Sequence, residues 1–281
     1  DYPTMCRGGG GSMRVAYQGE QGAYSEEAII KHWEDRAESV PLPYLQEVFA
    51  KVEQSEVDLG LVPVENTIQG SIHLTFDLLQ ESDLKIQGET ILRINHSLIV
   101  NPGTKLEDLR KVFSHPQAIG QSRAFLEENG LEPVSTYDTA GSVKMIKEKG
   151  ITDAAAIASR RAAEVYGMEI LAEGIETHQE NYTRFLIIGR GKTKPTGRDK
   201  TTLTFITEHK PGSLLRALHT ISDQGINLLK IESRPLIGKP WEYIFYVEFE
   251  GHEGDPRVKR SLEDLEKVTT SIKKLGSYPR A

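Results

Sequence analysis

The sequence predicts an α/β region followed by a smaller α+β module, and three observations carry that prediction. From Met13 to about Gly189, short apolar runs alternate with helical patterns, as parallel strands joined by crossover helices require. RGKTKPTGRDK (190–200), rich in glycine, proline and charge, then interrupts the pattern with no apolar residue to bury, and reads as a linker. Beyond it, the order strand, helix, strand, strand, helix, strand is that of a ferredoxin-like βαββαβ sandwich.

The strands of the first region are read as RVAYQG (14–19), VDLGLVPV (57–64), HSLIVN (96–101), KVFS (111–114), EPVSTY (132–137), DAAAIAS (153–159) and RFLIIG (184–189). TKLE (104–107) puts Thr104 at an N-cap and Glu107 at the third helical position, a capping box. Gly130 and Gly150 are placed as helix stops. Four strand-to-helix junctions result: GEQGAYSEE (19–27), ENTIQGSI (65–72), SHPQAIGQ (114–121) and YDTAGSVK (137–144). Ligands of open α/β sheets sit at such junctions, where helix N-termini present unpaired N–H groups.

In the second region the strands are TTLTFIT (201–207), INLLKIESRP (226–235), WEYIFYVEFEG (241–251) and a short one near LGSYP (275–279). The helices are PGSLLRALHTISDQG (211–225) and PRVKRSLEDLEKVTTSI (256–272). Leu214, Leu215, Leu218 and Ile221 fall at helical spacing and predict one apolar face.

With 281 residues, 38% of them hydrophobic, the chain suits about two domains. Residues 1–12, with their glycine run, read as leader or appended material, so the fold opens at Met13. They hold Cys6, the single cysteine, which leaves the rest without a disulfide, thiolate metal site or cysteine nucleophile. A net charge of −7 without a basic stripe argues against nucleic acid. No run approaches the roughly 20 apolar residues of a membrane span. The expected setting is cytoplasmic, with no membrane partner.

The eight histidines show no i,i+4 pair, and no G-x-S-x-G, P-loop or G-x-G-x-x-G occurs. Neither a metal nor a cofactor is expected. What remains at the junctions is a set of neutral donors, Asn66, Thr67, Ser114, Gln117, Thr139, Ser142, Asn181 and Thr183, with Arg184 as the clearest cation. Such groups bind carboxylates: hydroxyls and a helix N-terminus hold one anion, and an arginine fork grips another. Each has a plainer alternative. Ser114, Thr139 and Thr67 suit N-caps, Glu65 a solvated strand end, His115 before Pro116 a turn, and Arg184 a structural ion pair.

Together, VPVENTIQGSI (62–72), SHPQAIGQ (114–121), NYTRF (181–185) and ESRP (232–235), in that order, resemble the prephenate dehydratase family. GEQGAYSE (19–26) resembles that family's first loop. The resemblance implies a two-lobed, periplasmic-binding-protein-like catalytic domain over 13–189, with lobes of about 13–92 plus 172–189 and 93–171. It also implies an ACT regulatory domain over 201–281, which binds L-phenylalanine across a self-associated dimer or tetramer. The implied activity is decarboxylating dehydration of prephenate to phenylpyruvate, with feedback inhibition. Arogenate dehydratase and a non-catalytic dicarboxylate sensor are the rival readings.

The resemblance assigns catalytic roles to Thr183, Arg184, Glu65 and His115. Substrate binding falls to Asn66, Thr67, Ser114, Gln117, Thr139, Ala140, Asn181, Tyr182 and Phe185. Effector binding falls to Pro211, Gly212, Ser213, Leu214, Leu215, Asn227, Leu228, Glu232, Ser233, Arg234 and Pro235, with Asn227 and Leu228 supplied by a second chain. GSLL at 212–215 departs from the family's usual Gly-Ala-Leu-Val. A regular strand aims Thr183 and Arg184 to opposite faces, so a shared substrate predicts that the regular strand begins at or after Arg184.

Overall fold

A computed structural model describes residues 12–281. Apart from Ser12, the expected leader and Cys6 lie outside the described residues. Two compact units emerge, one from residues 12–72 with Thr90–Phe185, the other from His73–Glu89 with Leu186–Ala281.

The first unit opens with β1 (Met13–Gln18), α1 (Tyr24–Trp33), β2 (Ala37–Leu42), α2 (Leu45–Glu53), β3 (Leu59–Asn66) and the two-residue β4 (Gly70–Ser71). The chain passes through α3 (His73–Glu81) and β5 (Lys85–Arg93) of the other unit, β5 running across the boundary. It continues with β6 (Ser97–Val100), β7 (Lys111–Ser114), α4 (Pro116–Gln121), α5 (Arg123–Glu128), β8 (Glu132–Ser135) and α6 (Thr139–Glu148). β9 (Ala154–Ala158), α7 (Arg160–Tyr166), β10 (Glu169–Glu173) and β11 (Tyr182–Gly189) follow.

These strands form two sheets, ordered β2-β1-β3-β11-β5, with β4 on β3, and β10-β6-β9-β7-β8. The two-sheet α/β architecture is the expected fold class. The second sheet is mixed: β7 pairs parallel with β8 and β9, whereas β6 runs antiparallel to β9 and β10. Its central strand, AAAIA, is buried throughout, as expected for a strand covered on both faces.

Three longer strands went unread in the sequence. AESVPL (β2) contains a proline, KIQGETILR (β5) a glycine amid polar residues, and EILAE (β10) has charged ends, so none gives a continuous apolar run. The expected capping box shifts by one residue. Lys105 is the N-cap of a 3-10 turn (Leu106–Asp108), and its N–H donates to the Asp108 carboxylate; a single turn replaces the expected helix.

Gly22 fixes the first loop against the second sheet's side of the unit. Its φ is +93°, and a Cβ there would lie 2.8 Å from the Ala162 Cα, so only glycine fits. Its N–H donates to buried Glu26 at 2.6 Å, and its carbonyl accepts from the Ser159 hydroxyl at 2.7 Å.

The second unit contains β12 (Asp199–Ile206), α8 (Ser213–Ser222), β13 (Leu228–Pro235), β14 (Tyr243–Glu250), α9 (Pro256–Val268) and β15 (Ser271–Pro279), in sheet order β13-β14-β12-β15. This is the expected ferredoxin-like βαββαβ order. Both helices cover one face, where Leu203, Phe205, Val247 and Phe249 pack with Ala217, Ile221, Leu262 and Leu265. Full burial of each large side chain contributes about 1.5–3 kcal/mol. Leu215 leaves the predicted apolar stripe and is 60% exposed; Ala217 takes the inward position.

The opposite face of the same sheet receives α3. The Phe76 and Tyr246 rings meet edge to face at 4.2 Å. Lys200 lies buried between Glu89 at 2.9 Å and Glu248 at 3.6 Å. The stretch read as a linker is tied down before it enters β12: Asp199 accepts from the N–H groups of Thr196 and Gly197, and His252 Nε2 meets the Thr193 carbonyl at 3.0 Å. Among the described residues, no helix is long and apolar enough to cross a membrane.

Candidate active site

The end of β3 and the start of β11 build the centre of the site. The Asn66 side-chain carbonyl accepts the N–H groups of Ile68 and Gln69 at 3.0 and 3.1 Å, which fixes the orientation of its amide. Its NH2 group therefore faces β11 and donates to Asn181 Oδ1 at 2.9 Å, the Tyr182 carbonyl at 3.1 Å and Thr183 Oγ1 at 3.0 Å. Asn181 is fully buried and Thr183 nearly so.

β11 begins at Tyr182, which corrects the expectation that regular strand starts at or after Arg184. Thr67 supplies the reason. Its backbone N–H donates to the Tyr182 carbonyl at 2.9 Å, its hydroxyl accepts from Tyr182 N–H at 2.9 Å, and the same hydroxyl donates to the Glu180 carbonyl at 2.8 Å. These bonds carry the β11 pairing two residues further.

Thr183 and Arg184 accordingly alternate. Thr183 turns to Asn66, whereas Arg184 pairs with Glu65, Nη2 and Nε lying 3.0 and 3.3 Å from Glu65 Oε2. The structural ion pair weighed for Arg184 is thus present, and it occupies Glu65 as well.

Residues that sequence reasoning missed complete the cluster from other segments. Asn181 Nδ2 donates to Gln121 Oε1 at 2.9 Å, and Gln121 Nε2 reaches Asn66 Oδ1 at 3.4 Å. His96 Nε2 lies 2.8 Å from the same Gln121 Oε1, and its Nδ1 lies 2.6 Å from the Tyr24 hydroxyl. The buried Glu176 carboxylate accepts the His96 backbone N–H at 2.9 Å. Burial holds the His96 imidazole below its ordinary pKa, although the Gln121 bond and the Glu176 charge act in the opposite sense. Burial, then Glu27 and Glu176, push the Tyr24 hydroxyl well above its ordinary range. Gln121 and Tyr24 lie within SHPQAIGQ and GEQGAYSE, two segments that carry the family resemblance, and His96 opens the strand segment HSLIVN, but none of the three stands out there as a site residue.

The remaining expected residues take varied places. Ser114 is fully buried, and its hydroxyl is committed to the Ile157 carbonyl at 2.6 Å. His115, rather than Ser114, caps α4, its Nδ1 accepting from Gln117 N–H at 3.2 Å. That bond requires an unprotonated Nδ1, and burial lowers the His115 pKa against the opposing effect of Asp138. A neutral His115 then carries its proton on Nε2. Gln117 is half-buried at the start of the same helix.

At α6 the cap is Asp138, whose Oδ1 accepts from Gly141 N–H at 2.6 Å; Thr139 is the first helical residue and Ala140 is fully buried behind it. Ser142 bonds the Asp138 carbonyl at 2.8 Å. Thr67 caps no helix, because it stitches β3 to β11. Phe185 is buried in the core beyond the site. The structure thus gathers Asn66, Asn181 and Thr183, with Thr67 and Tyr182 beside them, into one hydrogen-bonded group.

A family model described as prephenate dehydratase matches residues 15–193, and one described as the ACT domain matches 201–267. The chain belongs to the prephenate dehydratase family. It is 42% identical over 281 residues to an Arabidopsis thaliana protein named arogenate dehydratase/prephenate dehydratase 2, chloroplastic, with 96% of this chain and 74% of that protein covered. Among solved structures, the Arthrobacter aurescens prephenate dehydratase in complex with L-Phe is 30% identical with a TM-score of 0.88, over 96% of this chain and 90% of that one. A protein described as a novel type of quorum quenching acylase, GqqA, is 34% identical with a TM-score of 0.88, over 95% of this chain and 98% of that one.

In this prephenate dehydratase family member, the expected effector residues divide between the two ends and two faces of the ACT sheet. Gly212, at φ +78°, leads into α8, and buried Ser213 accepts from Arg216 Nη2 at 2.9 Å. Pro211 and Leu215 are exposed, and Leu214 packs partly into the core. Pro235 pairs with Tyr243 near that end, whereas Asn227 accepts the Glu250 N–H at the far end of the sheet, next to Leu228.

Along β13, Ser233 and Pro235 share the face of Phe245, towards the helices. Glu232 and Arg234 point the other way. Glu232 lies 3.0 Å from His73, and Arg234 forks onto Asp77 at 2.8 and 3.2 Å. A single chain therefore does not bring the effector residues together.

Proposed function

We propose that the protein is a prephenate dehydratase that converts prephenate to phenylpyruvate, in phenylalanine biosynthesis, and is inhibited by L-phenylalanine at its ACT domain. The observation that carries the reading is Thr183, placed in a family-matched sequence with its hydroxyl oxygen accepting from Asn66. Because that oxygen accepts, its proton stays available to a substrate.

The reaction breaks the bond between ring carbon and carboxylate, releasing CO2, and the electron pair flows into the ring as hydroxide leaves from the opposite carbon. The departing hydroxide takes up one proton to become water. A threonine hydroxyl is too weak an acid to be a matched general acid, so Thr183 acts as a hydrogen-bond donor to the leaving oxygen. The neutral amides around it add no charge that would repel a dianionic substrate. The N-terminus of α6 and Nε2–H of His115 are the candidate carboxylate donors. Arg184 is engaged by Glu65, so its role in this reading is to hold the β3–β11 mouth.

Effector binding rests on the ACT match and on the L-Phe held by the Arthrobacter aurescens protein. The separation of Pro211–Leu215 from Asn227–Leu228 supports a pocket completed by a second copy. β13, an edge strand of its sheet, is the element available for that pairing. Self-association of a cytoplasmic enzyme completes the reading.

The test is to add prephenate to the pure protein and follow phenylpyruvate by its absorbance in alkali, with arogenate in parallel. Product from prephenate supports the reading. Turnover of arogenate alone would replace it with the aminated substrate, and no product from either would leave a dicarboxylate binder.

A further inference from the structure

The hydrogen bonds around Thr183 run in one direction, and that direction can be assigned from the backbone. Ile68 and Gln69 N–H groups can only donate, so Asn66 Oδ1 must accept, and its NH2 must face Asn181 and Thr183. Asn181 Oδ1 then accepts from Asn66, which makes Asn181 Nδ2 the donor to Gln121 Oε1. Gln121 Oε1 can only accept, so His96 must carry a proton on Nε2, 2.8 Å away. A neutral His96 with its proton on Nε2 has an accepting Nδ1, 2.6 Å from the Tyr24 hydroxyl, whose single proton also lies within reach of the Asn95 carbonyl at 3.0 Å. From Asn66 to His96 Nε2, every orientation follows from the previous one.

The path joins three parts of the unit. Tyr24 opens α1, His96 sits between β5 and β6, and Gln121 ends α4 beside the second sheet. Asn66, Asn181 and Thr183 belong to the first sheet.

We propose that Tyr24 and His96 are positioning residues for Thr183, fixing the Gln121 amide so that the Asn66–Asn181 pair holds the Thr183 hydroxyl as a donor. The proposal rests on the dehydratase reading above. It assigns Tyr24 and His96 no contact with substrate. Removing the His96 donor leaves the Gln121 carbonyl one partner short and allows its amide to turn, which loosens Asn181 and then Thr183.

Protonation of His96 would make Nδ1 a donor to the Tyr24 oxygen, turn the Tyr24 proton to the Asn95 carbonyl and leave the Nε2–H bond to Gln121 in place. The charged and titratable groups bearing on this pair are Glu176, beside the His96 backbone, and Glu27, near Tyr24.

The experiment measures kcat and KM on prephenate across pH for wild type, His96→Leu, His96→Gln and Tyr24→Phe. His96→Leu should lose kcat on the order of 10–100-fold, the scale of supporting hydrogen-bond partners at catalytic centres, with little change in KM. His96→Gln, which keeps a donor, should recover most of that loss. Tyr24→Phe removes the partner of His96 Nδ1 and frees the ring to turn from Gln121, so kcat should fall, by less than in His96→Leu, with KM little changed.

Unchanged kcat in His96→Leu, or no advantage of His96→Gln over it, overturns the proposal. If His96→Leu does not fold, Tyr24→Phe decides: a wild-type kcat overturns it. Wild type that makes no phenylpyruvate would overturn the dehydratase reading itself, a result separable from any variant's behaviour.

Discussion

Asn66 donates to the Thr183 hydroxyl at 3.0 Å while the adjacent Glu65 meets Arg184 at the same distance on the other face of the strand pair. Two neighbouring residues of β3 thus hold two neighbouring residues of β11, one pair neutral and one charged. The neutral pair serves the chemistry in the proposed reading, and the charged pair holds the frame.

Thr183→Ala should lower kcat on the order of 10²–10³-fold, the scale of one lost transition-state donor, with a small change in KM. Steady-state kinetics on prephenate check it. A loss expressed only through KM would make Thr183 a binding group.

Glu65→Gln should destabilise the fold by about 1–3 kcal/mol, because it removes the charge that Nε and Nη2 of the mostly buried Arg184 share. Urea unfolding of Glu65→Gln, Arg184→Gln and the double variant should give non-additive losses. Wild-type stability in Arg184→Gln, combined with a raised KM, would instead assign Arg184 to the substrate.

Lys200→Met should cost about 3–5 kcal/mol by leaving Glu89 and Glu248 buried without their shared cation. Replacing all three by apolar residues should restore much of that loss. Chemical denaturation is the measurement, and a neutral Lys200→Met would show that water reaches the triad.

L-Phenylalanine at about 100 times its Kd should stabilise the folded protein by about 2.7 kcal/mol. Asp77→Asn and Arg234→Gln each break a half-exposed pair and should cost no more than about 1 kcal/mol. Calorimetric titration of both separates two roles for Arg234: direct effector contact weakens binding only in Arg234→Gln, whereas a tie to α3 weakens it equally in both.

Stability should fall as pH drops through about 6.5. His32, His96 and His115 all have lowered pKa values, burial being the first cause in each. Between those lowered values and the ordinary value of about 6.5, the unfolded chain binds more protons, so stability rises with pH and is complete above about pH 7. Each such group adds a slope of up to about 1.4 kcal/mol per pH unit. Burial raises Glu27 and Asp138, whose contributions run in the opposite sense: stability falls as pH rises from about 4 through their folded values. Urea midpoints from pH 5 to 8 should rise, less steeply in His32→Gln; a flat profile contradicts the burial argument.

The centre of the site was legible where polar side chains interrupt an apolar strand, as at Asn66, Asn181 and Thr183. The βαββαβ order was legible because its helices are amphipathic and its strands apolar. His96, Gln121 and Tyr24 were not, because each looks ordinary within its own segment and acquires meaning only from residues at least 25 positions away. The strand start at Tyr182 escaped detection because Thr67, 115 residues earlier, supplies the bonds that extend it. The fates of Ser114 and Arg184 also depended on distant partners, the Ile157 carbonyl and Glu65.

α3 belongs by sequence to the stretch that follows β4, yet it packs on the face of the ACT sheet that α8 and α9 leave uncovered. A fragment cut at the charged stretch and beginning near Asp199 would keep all four strands and both helices. It would also bare Tyr246, strand Lys200 beside Glu248 without Glu89, and release Arg234 from Asp77. Such a fragment should be sticky and marginal, and one that carries residues 73–89 in trans should regain its solubility.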